Sequence, residues 1–317
     1  MPSNVSAIAI DAGGSTTLAV VVDINGSCEA VVRSGPGNPV TDANRAAANI
    51  TDACAAALAA SAHQPHMVVA TVAGTLSRDF PELAESLATR ALPTHLILES
   101  DLLSAYFSAT AAPEGSVMVV GTGAVAGKVS GGRLVSLRDG LGWLLGDDGS
   151  GFWMGHRVAR AVAADLDGRG PSTSLTPQVL EFFVDVPRRS GVRNKDLAAL
   201  LTWSQSRTPV ALAQLAILAA RDAATDDVAH TICSEAAAHA LATLDSLTQG
   251  DEGAVVLGGG VLDPSGPVGR EVHARLGERA RPVADGIAGA ALMAVRELGG
   301  DADEATLARI TRSLAQR

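Results

Sequence analysis

The chain has 317 residues, of which 47% are hydrophobic and 18% charged, and a formal net charge of −10. That length suits two lobes of about 100–200 residues each, and the composition excludes a disordered chain. The acidic balance argues against nucleic acid or an anionic lipid surface as partner, but leaves room for a small anionic ligand held by backbone amides and Mg²⁺.

The chain opens with an apolar strand over residues 5–10 that ends at Asp11. The turn Ala12-Gly13-Gly14-Ser15 follows, then a β-branched strand over 17–22. Asn25-Gly26 signals a hairpin, and residues 28–33 read as the third strand of a meander. Gly35-Pro36-Gly37-Asn38-Pro39 is a loop, and 42–62 a helix. Next come a strand at 67–72, a helix at 81–91, a strand at 95–98 and a helix from about 101 to 110. The pattern then restarts: strands at 117–120, 124–129 and 133–137, a helix at 151–164, a long Ala-rich helical stretch, and a strand at 254–257. The last segment, 301–316, places Leu307, Ile310 and Leu314 on one helical face.

Two copies of one architecture therefore follow each other, each opening with strand, glycine turn, strand. Residues 1–113 read as the first lobe. Residues 114–300 read as the second, with a helical insertion over 165–249, and helix 301–317 docks back on the first lobe. Such alternation predicts an α/β fold with mixed sheets covered by helices. Cys28, Cys54 and Cys233 match no metal or redox spacing and read as reduced and buried. No basic region with a long apolar run opens the chain, and no run of about 20 apolar residues occurs. A cytoplasmic protein is expected.

Three glycine turns each follow an apolar strand: Gly13-Gly14-Ser15-Thr16, Gly121-Thr122-Gly123 and Gly258-Gly259-Gly260. Any one could simply be tight; three at matching places point to phosphate approaching backbone N–H groups. With only Lys128 and Lys195 as lysines, phosphate chemistry must lean on amides, hydroxyls, metal or arginine. Gly121 to Ala126 fits a dinucleotide fingerprint, but a strand rather than a helix follows it. Gly127-Lys128-Val129 has the wrong spacing for a Walker A loop and lacks its hydroxyl.

Asp11, beside the first turn, can hold Mg²⁺ through water or can cap local amides. Asp101 opens a helix, so it reads either as an N-cap or as a general base for an attacking hydroxyl. Between Gly140 and Trp153, glycines alternate with apolar residues around Asp147 and Asp148. One of these acids either caps the following helix or accepts hydrogen bonds from sugar hydroxyls.

These segments together resemble the actin-like ATPase superfamily, which includes hexokinase. More closely, the chain is similar to N-acetylglucosamine kinases and the BadF/BadG-type ATPase family. The most specific element is Gly142-Trp143-Leu144-Leu145-Gly146-Asp147-Asp148-Gly149-Ser150, close to those kinases' G-W-x-x-G-D-E-G-S segment. The resemblance implies a duplicated, two-lobed fold with an active-site cleft between the lobes. It makes Asp11 and the turn through Ser15 and Thr16 the first phosphate loop, Gly121 to Gly123 the second, and Gly258 to Gly260 the adenosine motif. Asp101 matches the catalytic aspartate. Asn38, Gly74, Ala124, Asp147 and Gly151, together with Asp101, stand at the acceptor. Gly289 and Ala290 fall in a connecting helix whose small residues permit close packing.

Ala12 and Ser15 depart from the usual D-G-G-G-T, Asp148 replaces a glutamate, and Ala124 stands where some relatives carry serine. The zinc-binding His/Cys cluster of ROK sugar kinases and the iron–sulfur cysteines of the dehydratase activators are absent from the sequence. The implied activity is ATP- and Mg²⁺-dependent phosphorylation of an amino sugar's 6-hydroxyl, N-acetylglucosamine foremost. Glucosamine, N-acetylmuramic acid or glucose, or a partner-activating ATPase, are the alternatives. A homodimer is expected, since that is the commonest oligomer.

Overall fold

The computed structural model describes residues 5–75, 79–183, 185–186, 188, 191–248 and 253–316. The elements run β1 (Ser6–Ala12), β2 (Thr17–Asp23), β3 (Val32–Ser34), α1 (Ala43–Ala59), β4 (Met67–Val72), α2 (Pro81–Thr89), β5 (His95–Ser100), α3 (Asp101–Ala109). They continue β6 (Gly115–Val120), β7 (Ala124–Ser130), β8 (Arg133–Asp139), α4 (Gly151–Leu166), α5 (Leu175–Glu181), α6 (Lys195–Gln205), a 3₁₀ turn (Pro209–Leu215), α7 (Ala216–Asp222), α8 (Asp227–Thr248). The chain closes with β9 (Ala254–Gly258), α9 (Pro267–Leu276), β10 (Ala280–Pro282), α10 (Gly286–Glu297) and α11 (Glu304–Ala315). Of the expected helical insertion, residues 184, 187, 189, 190 and 249 lie outside the described residues.

The duplication is visible in the sheets. One has the order β3-β2-β1-β4-β5, the other β8-β7-β6-β9-β10, so corresponding strands occupy corresponding places. In the first sheet β1 pairs antiparallel with β2 and parallel with β4, with Asp11 opposite Thr71. The central strands are covered on both faces, which is why β1 and β4 read as apolar runs rather than alternations.

The chain divides into two compact units: residues 1–117, 129–135 and 281–317, and residues 118–128 and 136–280. The first packs Ile8, Ile10 and Val21 of its sheet against Ile50 of α1 and Leu83 and Leu87 of α2. Residues 281–300, which the sequence reading assigns to the second lobe, lie in this unit. There α10 packs on α3 and β1. The contact needs Gly289, where a Cβ would stand 1.9 Å from the Ser104 carbonyl oxygen. The second unit gathers Val158, Leu175, Val179, Trp203, Leu215 and Ala236 among its helices.

The third strand is shorter than the 28–33 expected. Cys28 makes only an isolated bridge to Val22, and β3 begins at Val32. The flanking groups still bond β2, the Asp23 amide to the Ser27 carbonyl at 3.0 Å and the Glu29 amide to the Val21 carbonyl at 2.9 Å, while Ser313 Oγ of α11 accepts from the Cys28 amide at 3.0 Å and donates to the Cys28 carbonyl at 3.1 Å. A side chain distant in sequence thus satisfies backbone groups that face the open edge of the sheet. All three cysteines are buried, and none is in a disulfide. Among the described residues no helix is long and apolar enough to cross a membrane.

Candidate active site

In the first unit, the C-terminal end of β1 carries Asp11 and leads into the first glycine turn, and Asp101 directly follows the C-terminal end of β5. The turn is closed by the Gly13 amide donating to the Thr16 carbonyl at 2.8 Å. Neither Gly13 nor Gly14 has a left-handed φ, and a Cβ on Gly14 would meet nothing within 4 Å. Gly14 therefore lies beside open space, where another group can approach its backbone. Asp11 receives hydroxyl hydrogen bonds from Ser104 at 2.9 Å and Thr71 at 3.3 Å. Burial nevertheless pushes its pKa up to about 6, with Asp101 and Asp285 adding like-charge repulsion. Gly286 opens the space for Asp11, since a Cβ there would fall 2.4 Å from Asp11 Oδ2.

Asp101 is not the N-cap of α3. Ser100 takes that place, with extended backbone and a side chain accepting from the Leu102 amide at 3.2 Å. Asp101 is the first helical residue, leaving its carboxylate with one side-chain bond, from Ser100 Oγ at 3.3 Å. Burial raises its pKa above the usual carboxylate range. As an acid in the first turn of α3, Asp101 also meets its own amide and that of Leu102, which oppose the upward shift without outweighing burial.

Asn38 sits on the same rim. Its Oδ1 accepts from the Val40 amide at 2.8 Å, leaving the Nδ2 group to donate elsewhere. Gly74, with φ +85°, lies beneath it: a Cβ there would stand 2.5 Å from Asn38 Oδ1. The Ala73 amide donates to the Ala12 carbonyl at 2.9 Å, tying this turn to the end of β1.

The second unit brings together the other two glycine turns. A Cβ on Gly259, φ +86°, would stand 2.3 Å from the Val120 carbonyl oxygen, so only glycine fits against the end of β6. Between the turns lies a cavity of about 300 Å³. Gly121, Thr122 and Gly151 line one part of it and Gly260, Val261, Pro267 and Val268 another, with Met154, Ala213, Ala216 and Ile217 adding apolar surface. A mostly apolar slot edged by glycine backbone suits a flat heterocycle. The Gly151 and Phe152 amides donate to the Gly121 and Thr122 carbonyls at 2.8 and 3.0 Å, fixing the second turn on the start of α4.

Asp147 does not cap α4, and neither does Asp148. Ser150 does, accepting from the Trp153 amide at 3.2 Å. Asp147 instead accepts from the Ala124 amide at 3.0 Å. It is buried, its pKa is raised by that burial, and its backbone is left-handed at φ +60°. A non-glycine residue held there is strained, and such residues cluster at functional sites. Ala124 has its carbonyl engaged as well, by the Gly140 amide at 2.8 Å, so it positions Asp147.

Sequence reasoning missed several contributors. Asp139 accepts from the Asp147 and Asp148 amides at 2.8 and 3.2 Å and so shapes the whole loop. Ser104 and Thr71 hold Asp11, and Asp285 caps α10 beside it. Ser104 stands one helical turn beyond Asp101, which was a legible spacing.

The chain matches the BadF/BadG/BcrA/BcrD ATPase family over residues 8–294 and belongs to it. Glucosamine kinase of Vibrio cholerae is 27% identical over 217 residues, covering 64% of this chain and 66% of the relative. An N-acetylmuramic acid/N-acetylglucosamine kinase of Clostridium acetobutylicum is 35% identical over 98 residues, covering 27% and 31%. The chain thus spans less than two thirds of the curated relatives it matches. A crystal structure from Chromobacterium violaceum, assigned as an N-acetylglucosamine kinase, superposes with a TM-score of 0.70 at 24% identity, over 92% of this chain and 99% of that one. The chain shares the fold of that structure.

Proposed function

We propose that the chain transfers the γ-phosphoryl group of ATP to the 6-hydroxyl of an amino sugar, with N-acetylglucosamine as the acceptor. The observation that carries this reading is Asp101: a partly buried carboxylate of raised pKa that is not the N-cap of α3, on the same unit as the first glycine turn and Asp11. A base whose pKa is raised toward neutrality accepts a hydroxyl proton more effectively. In this reading Asp101 takes the proton from the sugar's 6-hydroxyl as it attacks. Asn38, Gly74, Asp147 and the loop near Ala124 and Gly151 hold the sugar. Backbone amides and hydroxyls of Gly13 to Thr16 and Gly121 to Gly123 face the phosphates, and the cavity beside Gly258 to Gly260 takes the adenosine.

Mg²⁺ fits this site when carried in with the nucleotide. Among the described residues no group of three or more His, Cys, Asp or Glu could bind an ion outright, whereas Asp11 is a single acid held by two hydroxyls. Asp11 would hold Mg²⁺ through water, and the ion, when bound, neutralises charge on the β- and γ-phosphates. We place the protein in the cytoplasm as a homodimer.

The acceptor is tested by a coupled ADP assay across a sugar panel. The reading expects N-acetylglucosamine to give the highest kcat/KM. The V. cholerae relative favours a second reading, in which glucosamine leads. ATP hydrolysis independent of every sugar would instead mark a partner-activating ATPase.

A further inference from the structure

We propose that Gly37 is a positioning residue whose missing side chain registers the Asn38 loop on the first glycine turn. Its functional meaning rests on the kinase reading; the joint itself is geometric. The Gly37 amide donates to the Gly13 carbonyl at 2.9 Å. A Cβ at position 37 would stand 2.6 Å from Ala12 Cβ and 2.7 Å from Thr17 Oγ1. Gly37 does not have a left-handed φ, so what it supplies is space.

Neither neighbour can yield. Ala12 and Thr17 are fully buried. They face each other across β1 and β2, and Ala12 also pairs with Val72 of β4. The remainder of the loop is anchored as well. Asn49 Nδ2 donates to the Pro36 carbonyl at 2.7 Å, and Gly74 leaves room for the Asn38 carboxamide. Ala12 stands where the resembling first loop carries glycine. Its methyl fills space that any side chain at 37 would need, so the two positions together carry one methyl. The acceptor loop and the phosphate loop are therefore set against each other at this contact, and displacing one displaces the other.

Gly37→Ala is the first test. The two methyls must part by about 1 Å to reach ordinary van der Waals contact. A shift of that size near a reacting centre costs up to about 100-fold. We expect acceptor kcat/KM to fall about 30- to 100-fold and the ATP KM to rise about 5-fold. Adding Ala12→Gly and Thr17→Ala removes both atoms that the new methyl strikes. Thr17 Oγ1 has no hydrogen-bond partner among the described residues, so its loss sacrifices none. That triple variant should recover about tenfold of the lost kcat/KM.

A purely structural role would reduce the folded fraction and leave the KM values of the folded enzyme alone. Wild-type KM values in folded Gly37→Ala, or no recovery in the triple variant, overturn the proposal. If Gly37→Ala does not fold, Ala12→Gly alone opens the same joint. It should raise the acceptor KM about 3-fold, and an unchanged KM overturns the proposal equally. Direct binding of a fluorescent ATP analogue without sugar separates the two readings. If the unsubstituted protein phosphorylates no sugar, the kinase reading fails, while weakened and restored nucleotide affinity across the variants still reports the joint.

Discussion

Asp11 of the first unit and Asp147 of the second both stand beside a glycine turn with a raised pKa, yet the cost of holding each differs in kind. Asp11 lies on a regular strand, and its cost is desolvation of the charge, only partly offset by Ser104 and Thr71. Asp147 accepts a backbone N–H, but part of its cost sits in its own main chain at φ +60°. The first cost vanishes when the charge is removed. The second persists with any side chain except glycine. Substitutions can therefore tell the two apart, and Asp101 adds a third case, in which the proposed function gives the raised pKa a chemical use.

The largest effect belongs to Asp101. Asp101→Asn keeps the shape and removes the base, so kcat should fall by about 10³-fold, within the range for general-base catalysis and transition-state orientation together. Affinity for ATP should be nearly unchanged, because no proposed nucleotide contact is touched. Single-turnover kinetics beside nucleotide titration reads both, and near-normal turnover would remove Asp101 from the chemistry.

Asp11 comes next. Its folded pKa of about 6 lies above the ordinary 3.8, so ionisation costs the folded state stability. The penalty is absent at low pH, grows as pH rises through that window and is complete above it, where two pKa units correspond to ~3 kcal/mol. Asp11→Asn removes the charge and keeps acceptors for Ser104 and Thr71. In Mg²⁺-free urea unfolding at pH 7.5 it should be more stable than the natural chain by about 1–3 kcal/mol. The gap should narrow toward pH 4.5. A gap that ignores pH, or a destabilised variant, contradicts burial as the cause.

Much of this was legible because it is local. The apolar runs of β1 and β4, the hairpin glycine and the alternation of strand and helix all lie within short windows. Pro267 at the start of α9 is a local helix signal of the same kind. What could not be read depends on distant partners. Asp147, Asp148 and Ser150 all precede α4 and all make acceptable caps. Asp139 decides among them, because its carboxylate takes the Asp147 and Asp148 amides and leaves Ser150 at the helix start. Ser313, from the far end of the chain, likewise decides where the edge-facing backbone groups of Cys28 are bonded. Each choice is made by a side chain that the local pattern does not contain.

The smallest effect is the sharpest test of the second unit, because its sign carries the answer. Asp147→Ala and Asp147→Gly both lose the bond from the Ala124 amide and both remove the charge, so those terms cancel between them. What remains is the backbone. At an ordinary helical or extended position glycine is the worse residue by about 0.5–1 kcal/mol, since it loses more freedom on folding. At φ +60° alanine carries a left-handed penalty of about 1–2 kcal/mol that glycine escapes. Asp147→Gly should therefore unfold at higher urea than Asp147→Ala, with equal slopes. The reverse order would mean that the Asp147 backbone is relaxed in solution, and that its cost, like that of Asp11, lies in the buried charge alone.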